Sequence, residues 1–233
     1  MKQIRYYSLL PAYFLILSII LLAVITGSRA VTVISENAPL TGRSNIIIDA
    51  GHGGEDGGAT SCTGVLESNI NLEIALRLND LMHLLGYDTV MVRTTDTAIH
   101  TQGNTIAARK VSDLKARVSL VNQTENSLLI SIHQNYFTDE RYSGAQVFFP
   151  DTNGSAEFAK LLQKDIIFAL NPGSNRQAKK ASGVYLMEHI QCTGALIECG
   201  FLSNYSEEAR LRSADYQKKL CGVIASSVSR FLS

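Results

Sequence analysis

After residue 44, the chain alternates between short apolar runs and longer stretches in which apolar residues recur every three or four positions. The runs at 46–48 and 128–132 are continuous and apolar, which is typical of strands buried on both faces of a parallel sheet. Further strands are predicted by shorter runs at 89–93, 145–149, 183–187 and 195–197.

The stretches with helical spacing predict helices between and after these strands. The first helix has Ser68 or Asn69 as its N-cap and Gly86 as its stop. The second presents one apolar face, formed by Val111, Leu114, Val118 and Val121. A third begins at Gly154 or Ser155, and a fourth lies near the C-terminus. Strands separated by helices predict an α/β fold, a single domain in which a mostly parallel twisted sheet of about six strands has helices on both faces.

The segment before this domain has a different pattern. Residues 9–25 are apolar and uncharged, and Lys2 and Arg5 precede them. This arrangement predicts a segment that directs export, with its N-terminus in the cytoplasm and the domain outside. We therefore expect an extracytoplasmic protein, either secreted or anchored in the membrane.

A short motif and a change in periodicity indicate where this segment ends. The sequence S-R-A at 28–30 resembles a cleavage site, so a signal peptide and a retained membrane anchor both remain open for residues 1–30. Residues 31–44 have little periodicity and are interpreted as a linker. Residues 45–233 are then predicted to form the folded domain.

Charge and cysteine content narrow the class of protein. The chain has 21 basic and 21 acidic residues, and residues 1–30 hold three of the basic ones, which leaves 18 against 21 in the exported part. No basic run is present, which argues against a nucleic-acid partner. The cysteines are irregularly spaced without a C-x-x-C pair, so free thiols are favoured over a zinc ribbon or a disulfide framework, although a disulfide stays open. They are Cys62, Cys192, Cys199 and Cys221.

Two of the apolar strands end in similar polar clusters, D-A-G-H at His52 and S-I-H-Q-N at His133. Parallel strands bring their carboxyl ends to the same edge of a sheet, where ligands bind in open α/β folds. The glycines around His52 are expected to leave open space for a metal or a substrate. Two imidazoles at one edge can bind a transition metal, and Zn²⁺ needs one or two further ligands.

Glu67 is the candidate for the third ligand, because G-V-L-E places it at the entry to the first helix, within reach of His52. It could instead be only an acidic residue favoured by the helix dipole. Glu55, Asp56 and Cys62 remain alternative ligands.

Glu198 is the candidate for the base that accepts a proton from water during hydrolysis. It follows a predicted buried strand, where a carboxylate without a partner is costly. A purely structural pairing with an arginine such as Arg117 is the alternative. Cys199 would point to the opposite face of the strand, as a core thiol.

The remaining polar residues receive weaker assignments. Ligands and substrate are expected to be oriented by Ser131, Asn135, Asn204 and Arg117. No metal role is assigned to His83, His100 or His189. The sequence contains neither a G-x-S-x-G elbow nor a P-loop, so serine hydrolases and nucleotide-binding proteins lack their local signatures here.

Four motifs, taken in order, resemble the zinc-dependent N-acetylmuramoyl-L-alanine amidases of bacterial cell walls. They are I-I-I-D-A-G-H-G-G, G-V-L-E-S-N-I-N-L, S-I-H-Q-N and A-L-I-E-C-G-F-L-S-N. The resemblance covers the chain from roughly Asn45 onward. It implies that His52, Glu67 and His133 bind Zn²⁺ and that Glu198 is the catalytic carboxylate. It also implies hydrolysis of the amide bond between N-acetylmuramic acid and L-alanine in peptidoglycan.

Within that family, A-R-K-V-S-D-L-K-A-R-V and Y-S-G-A-Q-V-F-F are similar to sporulation amidases that prepare the spore cortex. This similarity implies removal of stem peptides from glycan strands before muramic-δ-lactam forms, in the forespore intermembrane space. Some relatives work with a lipoprotein, so a lipoprotein partner is expected. Two other functions stay open: a different zinc peptidase acting on wall peptides, and a non-catalytic, membrane-anchored peptidoglycan-binding protein.

Overall fold

The computed structural model describes residues 44–233. The predicted signal peptide or membrane anchor at 1–30, and nearly all of the predicted linker, lie outside the described residues. Within residues 44–233, no helix is both long enough and apolar enough to cross a membrane.

A six-stranded sheet forms the centre of the described domain, in the order β2-β1-β3-β6-β4-β5. Its strands are β1 Asn45–Ala50, β2 Thr89–Met91, β3 Ser127–Asn135, β4 Gln146–Phe149, β5 Lys179–Lys180 and β6 Thr193–Phe201. Strands β2, β1, β3 and β6 are parallel, β4 pairs antiparallel with β6, and β5 is parallel to β4. The predicted mostly parallel sheet of about six strands is therefore confirmed.

Helices cover both faces of this sheet, as predicted. They are α1 Glu67–Leu84, α2 Ile106–Gln123, α3 Ser155–Leu170, α4 Tyr185–His189, α5 Tyr205–Leu211 and α6 Ala214–Leu232. The larger core lies between the sheet and α1, α3 and α6, and it includes Ile48 of β1 and Ile130 of β3. The smaller core lies on the opposite face against α2 and α4, and it includes Ile47 and Leu129. The continuous apolar runs thus supply side chains to both faces.

The strand predicted at 183–187 is wrong, because the chain forms the short helix α4 at Tyr185–His189. A short apolar run is equally compatible with a buried helix, and Leu186 and Met187 are buried in the smaller core. The sixth strand is instead β5, Lys179–Lys180, an exposed pair joined to β4 by backbone hydrogen bonds. Its side chains carry no apolar signal, which is why the pattern missed it.

Element boundaries differ from prediction in ways that affect the site. Helix α1 begins at Glu67, and its N-cap is Leu66 without a side-chain cap, rather than Ser68 or Asn69. Strands β3 and β6 extend beyond their apolar runs, so His133 and Glu198 lie within strands and not after them.

The predicted apolar face of α2 is also shifted. Val111 is 50% exposed, and the residues that α2 buries are Ser112, Asp113, Arg117 and Val121. Val121 of the predicted face is buried in the smaller core and Val118 packs against it, so the prediction is confirmed for these two residues and wrong for Val111. Apolar periodicity did not indicate the three buried polar residues.

Candidate metal centre

The predicted site residues lie together at the carboxyl ends of β1, β3 and β6. His52 follows β1 by two residues, and His133 of β3 is the register partner of Glu198 of β6. Because side chains alternate along a strand, His133 lies on the same face as Leu129, which is the face covered by α2 and α4. The site therefore lies at one end of this face.

The backbone around His52 is shaped for close packing. His52 has a φ of 62°, a conformation that is uncommon for residues other than glycine. A Cβ atom at Gly51 would approach the His133 ring to 2.2 Å, and one at Gly58 would lie 2.5 Å from Glu67 Oε2. These glycines therefore let the site side chains come together, which differs from the expectation that they leave open space.

Glu67 bridges the two histidines. Its Oε2 lies 3.3 Å from His52 Nε2, and its Oε1 lies 3.1 Å from His133 Nδ1. One ligand atom from each residue lies within 4.8 Å of the others, and the two imidazole rings meet edge to face with centroids 5.0 Å apart. This set of two nitrogens and one oxygen suits a divalent transition metal.

Accessibility differs among the three residues. The side chain of Glu67 is 5% exposed, whereas those of His52 and His133 are 20% and 19% exposed. The Glu67 carboxylate is therefore buried within the protein, whereas the two imidazoles are partly accessible to solvent.

Several donors hold the Glu67 carboxylate in place. The backbone N–H of Ala59 donates to Oε2, while the backbone N–H of Gln134 and the Asn71 side chain donate to Oε1. Burial alone would raise the pKa of Glu67, but the interactions with His133 and His52 lower it well below its ordinary value. Glu67 is therefore an ionised, oriented carboxylate.

Asp56 orients the ring of His52 from outside the group. Its Oδ2 lies 2.9 Å from His52 Nδ1, and it also forms an ion pair with Lys110. Burial disfavours the charged imidazole, but the hydrogen bonds with Asp56 and Glu67 raise the pKa of His52 to about 9. With Nδ1 occupied by Asp56, Nε2 is the nitrogen that faces Glu67.

The alternative ligands have other contacts. Glu55 forms an ion pair with Arg109, and Asp56 contacts His52 from the side away from Glu67. Cys62 donates its backbone N–H to Leu202, and its thiol is not part of the three-residue group. Among the described residues, the group that could hold a metal consists of His52, Glu67 and His133.

The three other histidines lie apart from this group. His83 is exposed and hydrogen-bonds Thr89, and His189 Nδ1 contacts the carbonyl of Tyr185 in its own helix. His100 lies in the loop before α2.

Glu198 differs from the other site residues because, within the described residues, one of its carboxylate oxygens lacks a hydrogen-bond partner. This atom, Oε2, is buried. Burial raises the pKa of Glu198 to about 7, with the two histidines opposing and Glu67 adding to the shift. Arg117, the alternative structural partner, donates instead to Asp113 and to the carbonyls of Ala50 and His52. Cys199 lies in the larger core on the opposite face, as predicted.

Two buried arginines hold the loop that carries His52. Arg117 donates to the His52 carbonyl at 2.7 Å and forms an ion pair with Asp49, which also accepts from Ser131. Arg93 donates to the carbonyls of Ala50, Gly51 and Ser68. Burial alone would raise the pKa of Asp49, but Arg117 keeps it below its ordinary value. These contacts fix the end of β1 relative to the start of α1.

Sequence reasoning missed Asp49 and Arg93. In the sequence, each is only a charged residue at the edge of an apolar run. That feature does not indicate a role in the site unless the groups that lie nearby in the fold are known. Among the predicted orienting residues, Arg117 and Ser131 act on this loop. Asn204 instead caps α5, and the carbonyl of Asn135 accepts from Leu202.

The chain is similar to known proteins. Residues 46–230 match the N-acetylmuramoyl-L-alanine amidase family. The germination-specific N-acetylmuramoyl-L-alanine amidase of Bacillus subtilis (strain 168) is 39% identical over 195 residues, which cover 83% of this chain and 81% of that protein.

Two solved structures have the same fold. The CwlD amidase from Clostridioides difficile, in complex with the GerS lipoprotein, is 33% identical with a TM-score of 0.78, covering 82% of this chain and 98% of that one. An N-acetylmuramoyl-L-alanine amidase from Clostridium difficile 630 is 30% identical with a TM-score of 0.71, covering 82% and 97%. The family match over nearly all of the described domain shows that this chain belongs to the N-acetylmuramoyl-L-alanine amidases.

Proposed function

We propose that this chain is a zinc-dependent amidase that hydrolyses the bond between N-acetylmuramic acid and L-alanine in peptidoglycan, with His52, Glu67 and His133 as metal ligands and Glu198 as the catalytic carboxylate. Its family membership supports the activity. The observation that best supports the roles is the juxtaposition of a three-residue ligand group with Glu198, the register partner of His133, whose buried Oε2 has no hydrogen-bond partner within the described residues.

The residues present fit a zinc ion. Two imidazole nitrogens and one carboxylate oxygen match the donor set of catalytic zinc sites, which keep a further position open. Glu198 Oε2, which has no protein partner within the described residues, would gain a favourable cation nearby. When bound, zinc would polarise the scissile carbonyl and lower the pKa of the attacking water toward about 7.

Glu198 carries the proton in this mechanism. It accepts a proton from water as the water oxygen forms a bond to the lactyl carbonyl carbon. It then donates that proton to the L-alanine nitrogen as the carbon–nitrogen bond breaks, which leaves a lactyl carboxyl group and a free amine. Burial raises the pKa of Glu198 to about 7, which makes this carboxylate a stronger proton acceptor than an exposed glutamate.

The neighbouring residues keep this geometry fixed. Asp56 holds His52 by Nδ1, and three donors hold Glu67. Because Glu198 pairs in register with His133, the strand ladder sets its distance from the ligand group. Catalysis requires such placement, since the reacting groups must meet in one orientation.

We further propose that the substrate is spore-cortex peptidoglycan and that the chain removes stem peptides before muramic-δ-lactam forms. The named similarities to a germination-specific amidase and to the CwlD amidase support this role. Because that CwlD structure contains the GerS lipoprotein, we propose a lipoprotein partner here as well. The action is extracytoplasmic, in the forespore intermembrane space, with residues 1–30 as signal or membrane anchor.

Product analysis tests the activity. Zinc-loaded protein is incubated with purified peptidoglycan, and the products are identified by mass spectrometry. An amidase releases peptides with free N-terminal L-alanine and leaves intact glycan strands. Cleavage within the stem peptide would instead identify a wall peptidase, and binding without cleavage, even with a lipoprotein partner, would identify a peptidoglycan-binding protein.

Metal content tests the ligand assignment. We expect His133→Ala to lose bound zinc, whereas His189→Ala, a matched change at a histidine on α4, keeps it. Full zinc content in His133→Ala would overturn the assignment of His133.

A further inference from the structure

An arginine and three aromatic rings cluster beyond the proposed catalytic residues. Phe137 and Tyr142 meet edge to face with ring centroids 4.7 Å apart, and Tyr142 lies 6.1 Å from Phe201. The guanidinium carbon of Arg176 lies 5.1 Å from the centre of the Phe201 ring. We call these four residues the arginine–aromatic cluster.

Strand register places this cluster beside Glu198. Phe201 is the partner of Asn135, and Glu198 is the partner of His133, with an irregularity of the ladder between the two pairs. Because Asn135 is two residues after His133, both pairs share one face of the sheet. The offset along the strand is about 7 Å, at roughly 3.3 Å per residue.

Arg176 has contacts that position its guanidinium but none that neutralise it. It donates to the carbonyl of Ser143 at 3.2 Å and to Gln146 Oε1 at 3.5 Å. Within residues 44–233 it forms no ion pair, whereas Arg141 of the neighbouring loop pairs with Asp139. A guanidinium held by neutral groups keeps its affinity for an external carboxylate.

The rings give the cluster an apolar surface. Phe137 and Tyr142 are each 48% exposed, while Phe201 beneath them is buried. Apolar surface beside a guanidinium limits the water that competes for its hydrogen bonds, which strengthens pairing with a carboxylate. The cluster is thus suited to an extended peptide that carries one negative charge.

We infer that Arg176 binds the α-carboxylate of the D-glutamate that follows L-alanine in the stem peptide. This inference rests on the proposed function, because it assumes that the bond to L-alanine lies at Glu198. Two peptide residues extend about 7 Å, which equals the offset between Glu198 and Phe201 along the strand. The rings of Phe137 and Tyr142 contact the peptide on either side of this charge.

The inference predicts a preference that depends on Arg176. Wild-type full-length chain and Arg176→Gln, in detergent and loaded with zinc, are assayed on two matched muropeptides. One carries the free α-carboxylate of D-glutamate, and the other carries its amide. We expect Arg176→Gln to lower kcat/KM about tenfold to a hundredfold on the free carboxylate, and less than about threefold on the amide.

The control is Arg141→Gln, which makes the same charge change at an exposed arginine that already has a partner. We expect it to keep the wild-type preference, and zinc content and thermal melting confirm that each variant is folded. Equal loss on both muropeptides, or a preference retained in Arg176→Gln, would overturn the inference while the amidase activity stands. Failure of wild type to cleave either muropeptide, even with a lipoprotein partner supplied, would overturn the proposed function itself and this inference with it.

Discussion

His133 of the ligand group and Glu198 are register partners on adjacent strands, yet the ligand group and Glu198 have different surroundings. The Glu67 carboxylate receives hydrogen bonds from two backbone N–H groups and one side chain. The His52 loop is held by carbonyl contacts from two buried arginines. Glu198, by contrast, has a buried oxygen with no partner in the described chain.

This difference matches the chemistry that each region performs in the proposed mechanism. Metal ligands work best when they are held in one orientation and one protonation state. A group that accepts and then donates a proton must change charge state, and hydrogen bonds that fix one state would oppose it. Burial without a partner raises the pKa of Glu198 to about 7, which leaves both states accessible.

Removal of the Glu198 carboxylate gives the largest expected effect. Glu198→Gln keeps the shape of the side chain but cannot carry the proton, so kcat should fall by about 10²- to 10⁴-fold. Zinc content should stay at the wild-type level, because Glu198 is not in the ligand group. Turnover on peptidoglycan and metal analysis measure the two quantities.

The matched control for this variant is Glu157→Gln, at an exposed position in the first turn of α3. It should retain wild-type turnover. Activity of Glu198→Gln within a few-fold of wild type would remove Glu198 from the mechanism.

Loss of Arg117 should have the next largest effect, on stability. Arg117→Ala leaves Asp49 and Asp113 without their buried partner, which is expected to lower the free energy of unfolding by about 3–5 kcal/mol. Urea denaturation followed by circular dichroism measures this change. Arg141→Ala, which removes an exposed ion pair, should cost about 0–1 kcal/mol. Similar losses in the two variants would show that the His52 loop does not depend on its buried arginine.

Loss of the Asp56 carboxylate should have a smaller effect, on metal affinity. Asp56→Asn weakens the contact that orients His52, so zinc affinity should fall about 10- to 100-fold. Glu55→Gln alters the adjacent carboxylate, which pairs with Arg109 and not with a ligand, and it should leave the affinity unchanged. Competition with a zinc chelator measures both, and equal affinities would show that His52 needs no outer partner.

The fold was predictable where apolar residues decide the structure. Ile46 to Ile48 and the run that follows Ser127 identified the central strands, because these side chains fill both cores. The strand predicted at 183–187 was wrong because a short apolar segment does not distinguish a strand from a helix. Strand β5 was missed because only its backbone contributes to the sheet.

The candidate site was predictable as far as each residue carried its own signal. His52 and His133 follow apolar runs, and the structure brings them together with Glu67. Arg93 acts through carbonyls of Ala50, Gly51 and Ser68, which are distant in sequence. Every residue has a backbone carbonyl, so the type of the accepting residue does not matter. No sequence pattern therefore indicates which carbonyls an arginine will contact.

The smallest expected effect, for a change of one pH unit, is that of pH on metal uptake. Burial disfavours charged His52, but Asp56 and Glu67 raise its pKa to about 9, so at pH 7 a proton occupies the imidazole before the metal binds. Metal binding must release this proton, and affinity should therefore rise by up to about tenfold per pH unit from 7 and level off near 9. Glu67, whose pKa is lowered, is already ionised and adds no dependence in this range.

Calorimetry in buffers of different ionisation enthalpy counts the released protons directly. In Asp56→Asn, the pKa of His52 should fall, so fewer protons should leave at pH 8 and the dependence on pH should weaken. Zinc binding to wild type that releases no proton from His52 at pH 7 would show that the imidazole is neutral beforehand. The rigid ligand group would then be ready for metal without a change in charge, and Glu198 would be left as the group of the site that changes protonation near neutral pH.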